Sequence, residues 1–85
     1  MLPALLIIAD NLTGANDTGV QFAKQGIRVI VSIRHEQPLQ TWADDCQVLV
    51  VNTASRHVLP EEAYRRVVLV ARQGAALGIQ QFYSF

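Results

Sequence analysis

The sequence predicts an α/β fold: a parallel sheet of about four strands with flanking helices, a fragment of a larger doubly wound domain. Three observations predict it. Apolar runs of strand length alternate with amphipathic stretches of helix length. Two of those runs, "ALLIIA" and "QVLVVN", are near-continuous Leu, Ile and Val, as in strands covered on both faces rather than wetted on one. Of the 85 residues, 51% are hydrophobic and only 16% charged. That is rich for a small domain with a thin core, so part of its surface is expected to meet a neighbour, either more of the same chain or a second subunit.

The first strand is expected over Ala4 to Ala9. No basic segment precedes this apolar opening, and Asp10 interrupts it far short of a membrane span, so it reads as a strand of a soluble protein. A helix is expected from about Ala15 to Gln25, with Thr13 as N-cap and Asp17 in the first turn. Val20 and Ala23 would face inward, and Gly26 stands just past the end. "RVIVSI" (Arg28 to Ile33) is the second strand. "HEQPLQTWADDC" (His35 to Cys46) crosses to the third strand, Gln47 to Asn52, with room for one helical turn.

The second helix begins at Pro60, with Glu61 and Glu62 against the positive end of its dipole. Tyr64, Val67, Val68, Ala71 and Ala75 form its apolar stripe, and Gly78 ends it. A last strand lies in "IQQFYSF" from Ile79. Each crossover is expected to be right-handed. No repeat, low-complexity tract or linker marks an internal boundary.

Seven Lys plus Arg balance seven Asp plus Glu, so no basic field recruits nucleic acid and no acidic tail exists. The single Cys46 cannot form an internal disulfide, and no Cys/His spacing suits structural zinc. A reduced, cytoplasmic setting without a metal site is the expectation.

In open parallel sheets, ligands gather at the carboxyl ends of the strands, where loops converge and helix N-termini present free N–H groups. Two loops qualify. After the first strand, "ADNLTGAND" offers Asp10 and Asn11 at the strand tip and Thr13 and Gly14 at the helix start: acceptors for hydroxyls and donors for an anion. The competing reading is an ordinary capped turn in which Asp10 or Thr13 only satisfies backbone donors. After the third strand, "NTASRH" supplies Ser55 and Arg56, a hydroxyl and a planar fork of donors suited to a carboxylate or phosphate. Arg56 either meets such an anion or pairs with Glu61 or Glu62 on the surface.

His57 is a solvated spectator or a group titrating near neutrality, and His35 beside Glu36 offers less. Trp42 and Tyr83 either stack on a ligand or pack in a core or interface. "LTGANDTG" lacks the Gly-Lys-Ser/Thr of a P-loop and the three-glycine dinucleotide spacing, so no nucleotide motif is present.

These residues resemble the four-carbon acid sugar kinases, specifically their sugar-binding N-terminal domain. "IIADNLTGANDTGVQFAKQG" is similar to the family's opening Ile-Ala-Asp-Asp-Leu-Thr-Gly-Ala block and the Asp-Thr-Gly after it. "VVNTASRHVLPEEAYRRV" resembles its second block, Asp-Thr-Glu-Ser-Arg leading into a helix with paired acids. The resemblance covers nearly the whole chain but a fraction of the family's length. It implies a partial sugar-binding domain over residues 1–85, without the C-terminal nucleotide-binding domain, and "FYSF" stops where a Lys-bearing Asp-Ser-Thr-Leu-Arg-Gly block would begin.

The resemblance further implies ATP-dependent phosphorylation of acids such as threonate, erythronate or 3-oxo-tetronate, with ATP and Mg used by the full-length family and none expected on this fragment. Asp10, Thr13 and Gly14 match the first motif, and Thr53, Ser55 and Arg56 the second. Asp10 is implied as the catalytic carboxylate acting on a sugar hydroxyl. Asn11 stands for the usual second aspartate, Asn52 for an aspartate and Ala54 for a glutamate, which weakens catalysis and any magnesium role more than binding.

Two other readings remain. A non-catalytic remnant would keep the acid pocket alone. A signalling receiver would need an aspartate where Asn52 stands and a later lysine, which the chain lacks.

Overall fold

A computed structural model describes residues 2–33 and 36–85. His35 and its expected role lie outside the described residues. The elements run β1 (Leu5–Ala9), α1 (Leu12–Lys24), β2 (Val29–Ser32), α2 (Gln40–Ala43), β3 (Val48–Asn52), α3 (Pro60–Leu77) and β4 (Phe82–Ser84). The strands form one parallel sheet in the order β2-β3-β1-β4, with Ile7 opposite Val50 and Tyr83 on either side. The α/β class, the strand count and the single helical turn in the second crossover follow the sequence expectation.

Alternation along the strands divides the core in two. Leu6, Ile8, Leu49 and Val51 face α2 and α3 and pack with Leu39, Cys46, Val70 and Ile79. Ile7, Ala9, Val48 and Val50 face α1 and pack with Ala15, and with the half-buried Phe22 and Val31. Leu6, Leu49, Val50 and Val51 are wholly buried, each removing apolar surface worth about 1.5–3 kcal/mol.

Several local expectations are corrected. α1 begins at Leu12 rather than Ala15, and its N-cap is Asn11, not Thr13. Asn11 has the extended backbone of a cap and accepts the Gly14 N–H at 2.8 Å through Oδ1. The earlier start takes Asp17 out of the first turn, which holds no acid. Val20 is 50% exposed and Ala23 is also exposed; Ala15 and Gly19 are buried instead. A Cβ on Gly19 would come 2.6 Å from Val31 Cγ2, so this helix lies too close to β2 for large side chains on that face.

α3 is rotated in the same sense. Val70 and Gly74 are buried, Val67, Ala71 and Leu77 pack beside them, and Tyr64 and Ala75 are exposed. Gly26 and Gly78 follow their helices with φ of +77° and +97°, the left-handed stop expected of them. β4 is shorter than expected because Ile79 turns into the core ahead of it.

From β1 the chain crosses to β2 over the α1 face. It then returns through β3 to β4, in the opposite direction, over the α3 face. Reversing both direction and face keeps one handedness throughout. It also makes the β1/β3 boundary the point where the following helices part to opposite sides, the place where open parallel sheets form their ligand crevice at the strands' carboxyl ends.

Candidate functional site

The loops leaving β1 and β3 meet at that crevice and are joined through their backbones. The Ala9 carbonyl accepts the Thr53 N–H at 2.9 Å, and the Asp10 carbonyl accepts those of Ser55 and Arg56 at 2.9 and 3.1 Å. Asp10 and Arg56 therefore face each other, Nε to Oδ2 at 3.6 Å, with side chains 34% and 58% exposed. An exposed pair at that distance is worth less than about 1 kcal/mol, so a ligand carrying its own carboxylate and hydroxyls can replace it at small cost. Of the two carboxylates that were alternative partners of Arg56, one is engaged within its own helix. Glu62 takes Arg65 and Arg66 of its own helix at 2.7 Å each.

Asn11 does two jobs. While its Oδ1 caps α1, its Nδ2 donates to Asp10 Oδ1 at 2.6 Å, which fixes the carboxylate at the strand tip. The opposite assignment of the amide would break both bonds. Thr13 is exposed in the first turn. Beside Gly14, where a bare backbone was expected to admit a ligand, the Phe85 ring closes in: a Cβ on Gly14 would stand 2.9 Å from Phe85 Cε2. Phe85 also donates its N–H to the Ile8 carbonyl at 3.0 Å. The ring thus walls the α1 side of the crevice.

On the β3 side, Thr53 is wholly buried and donates its hydroxyl to the Ala9 carbonyl at 3.0 Å. A hydroxyl has one proton. The 2.8 Å contact between the two hydroxyls is therefore donated by Ser55, whose oxygen keeps its lone pairs for an incoming O–H. Asn52, also buried, accepts the Ala54 N–H at 2.9 Å, and Ala54 adopts a left-handed φ of 52°.

The loop is held from behind by a residue the sequence reading did not single out. Arg66 Nη1 donates to the Thr53 and Ala54 carbonyls, both at 2.9 Å, while its Nε donates to Glu62. Hydrogen bonds from Arg65 first and Arg66 second hold Glu62 well below the usual carboxylate range, at about 2.

Other candidates fall elsewhere. Trp42 packs against the α3-side core, with its buried Nε1 lacking a partner among the described residues. Tyr83 lies on the open β4 edge, tilted against Phe85 with centroids 6.0 Å apart. His57 is exposed in the turn before α3. Cys46 is buried, its thiol pushed up chiefly by desolvation, and behaves as a small core residue. An apolar groove of about 320 Å³ between α3 and β4, lined by Val68, Ala71, Arg72, Ala75 and Phe82, is separate from the crevice.

Residues 5–85 match the family described as "Sugar-binding N-terminal domain", and the chain belongs to it, the N-terminal domain of the four-carbon acid sugar kinases. It is 46% identical over 69 residues to a D-erythronate kinase of Heliobacterium modesticaldum, covering 80% of this chain and 16% of that protein. A D-threonate kinase of Salmonella typhimurium is 46% identical over 59 residues, 69% of this chain and 13% of its own length. A D-threonate kinase of Bordetella bronchiseptica is 34% identical over 86 residues, 96% of this chain and 21% of its own length. The chain thus spans 13–21% of the curated relatives it matches. No solved structure matches it.

The crevice offers few of the oxygen ligands that a magnesium ion takes. Its one carboxylate is already bonded to Asn11, the Asn52 amide is spent on the loop, and no group of three His, Cys, Asp or Glu side chains gathers among the described residues. No described helix is long and apolar enough to cross a membrane.

Proposed function

We propose that this chain holds a four-carbon sugar acid for an ATP-dependent kinase whose nucleotide site lies in further sequence. In this reading Arg56 binds the acid's carboxylate as a planar fork. Asp10 accepts a hydrogen bond from the hydroxyl to be phosphorylated and is the base toward it. Ser55 accepts from a second hydroxyl. The N–H groups of α1 around Thr13 and Gly14 lend positive potential, Asn11 holds Asp10 in place, and Thr53 anchors the loop. The observation that carries this reading is the approach of Asp10 to Arg56 across two loops joined by backbone hydrogen bonds.

A second reading, binding without catalysis, draws on the bond from Asn11 to Asp10, because it leaves Asp10 Oδ1 already occupied when a ligand hydroxyl arrives. The exposed β4 edge, with Phe82, Tyr83 and Phe85, is the surface that further chain or a second subunit would cover. A cytoplasmic setting goes with both readings.

Calorimetric titration of the chain with D-erythronate and D-threonate tests the binding. Saturable heat from either acid, lost in Arg56→Ala, is expected. No heat at millimolar ligand, or undiminished heat in the variant, contradicts the assignment.

A further inference from the structure

Arg66 is ten residues away from the nearest residue proposed to touch ligand, on the second turn of α3, yet it fixes the segment that presents two of them. Its Nη1 donates to two successive carbonyls, Thr53 and Ala54, at 2.9 Å, and Glu62 at 2.7 Å braces the other side of the guanidinium. The Arg66 side chain is only 20% exposed, unlike its neighbour Arg65 at 62%. Between those carbonyls sits Ala54, whose left-handed backbone an alanine adopts only when its surroundings impose it. Asn52 Oδ1 holds the N–H of Ala54 and Arg66 its carbonyl, so the residue is gripped at both ends. The turn so imposed aims the next two N–H groups, those of Ser55 and Arg56, at the Asp10 carbonyl.

We propose that Arg66 is a positioning residue for the crevice: with Glu62 behind it, its fork locks the left-handed turn at Ala54 and thereby sets Ser55 and Arg56 opposite Asp10. Its consequence for ligand affinity rests on the sugar-acid reading above; its hold on the loop does not. A lysine ammonium can serve the carbonyls that the single Nη1 reaches, but it has no second nitrogen with which to grip Glu62 as Nε does.

Amide hydrogen exchange of the intact chain, followed by NMR in the wild type, Arg66→Ala and Arg66→Lys, tests the hold. The Ser55 and Arg56 amides are expected to exchange at least about tenfold faster in Arg66→Ala, relative to Val50 in the sheet, with Arg66→Lys intermediate. Rates unchanged relative to Val50 overturn the inference. Should the alanine variant fail to fold, the lysine variant decides it in the same way. Calorimetry with D-erythronate adds the second readout: a dissociation constant at least about tenfold weaker in Arg66→Ala and partly restored in Arg66→Lys is expected, and equal affinity in all three overturns the positioning role. A wild type that binds neither D-erythronate nor D-threonate removes the sugar-acid reading, and the exchange rates still decide whether Arg66 locks the turn.

Discussion

Replacing Thr53 by valine keeps the outline of a wholly buried side chain and removes only its hydroxyl. Two bonds go with it: the donation to the Ala9 carbonyl at 3.0 Å and the acceptance from Ser55 at 2.8 Å. The first costs about 1 kcal/mol, since the Ala9 carbonyl keeps the Thr53 N–H. The second leaves the Ser55 hydroxyl buried without a partner, a further penalty of about 1–3 kcal/mol. The added methyl offsets at most about 0.8 kcal/mol. The net loss is about 2 kcal/mol, or roughly 8–16 °C in Tm for a domain of this size. Ser55→Ala alone should cost only about 1 kcal/mol, because Thr53 keeps its bond to Ala9. In the double variant no orphan remains, so its loss should fall short of the sum by about 1 kcal/mol. Urea unfolding followed by circular dichroism measures all four corners. Losses that add within about 0.5 kcal/mol, or a Thr53→Val variant as stable as wild type, would refute the hydrogen bond between the two hydroxyls.

Two further outcomes test the packing and the charges. Gly74→Ala should lower the unfolding midpoint even though alanine favours a helix by about 1 kcal/mol: its Cβ would lie 2.5 Å from Leu6 Cδ2 and 2.9 Å from Phe82 Cε2, and overpacking costs about 1–3 kcal/mol. A raised midpoint would place α3 farther from the sheet. For pH, Glu62 is held at about 2 in the fold against an ordinary value of 4.5, so the unfolded chain takes up its proton first. The stability its arginines confer is complete above about pH 4.5 and lost as pH falls toward 2. Glu62→Gln should flatten the acid limb of a stability profile over that window, and a profile of unchanged slope would contradict the pairing.

The sheet was legible because β1 and β3 are buried on both faces and so read as unbroken apolar runs. The phase of the helices was not. α1 and α3 approach the sheet through Ala15, Gly19 and Gly74, residues whose smallness carries no hydrophobic signal, while Val20 and Tyr64 look apolar yet face water. The cap was misplaced because Asn11 and Thr13 are both good capping types. Only the extended backbone at Asn11 and its bond to Gly14 decide between them.

At the crevice, Asp10 and Arg56 could be paired from topology alone, since loops after adjacent parallel strands share a rim. Arg66 could not, because it lies 13 residues beyond Thr53 on a helix face that reads as solvated charge. Phe85 was equally hidden: nothing in "FYSF" says that its ring rests against Gly14.

The most direct measurement of the central claim is a map of amide shifts as D-erythronate or D-threonate is titrated into the isotope-labelled chain. If the two joined loops hold the acid, the largest changes fall on two short segments 38 or more residues apart in sequence, Asn11 to Ala15 and Thr53 to Arg56, with the groove between α3 and β4 undisturbed. Changes centred on that groove, or none at saturating acid, would contradict it.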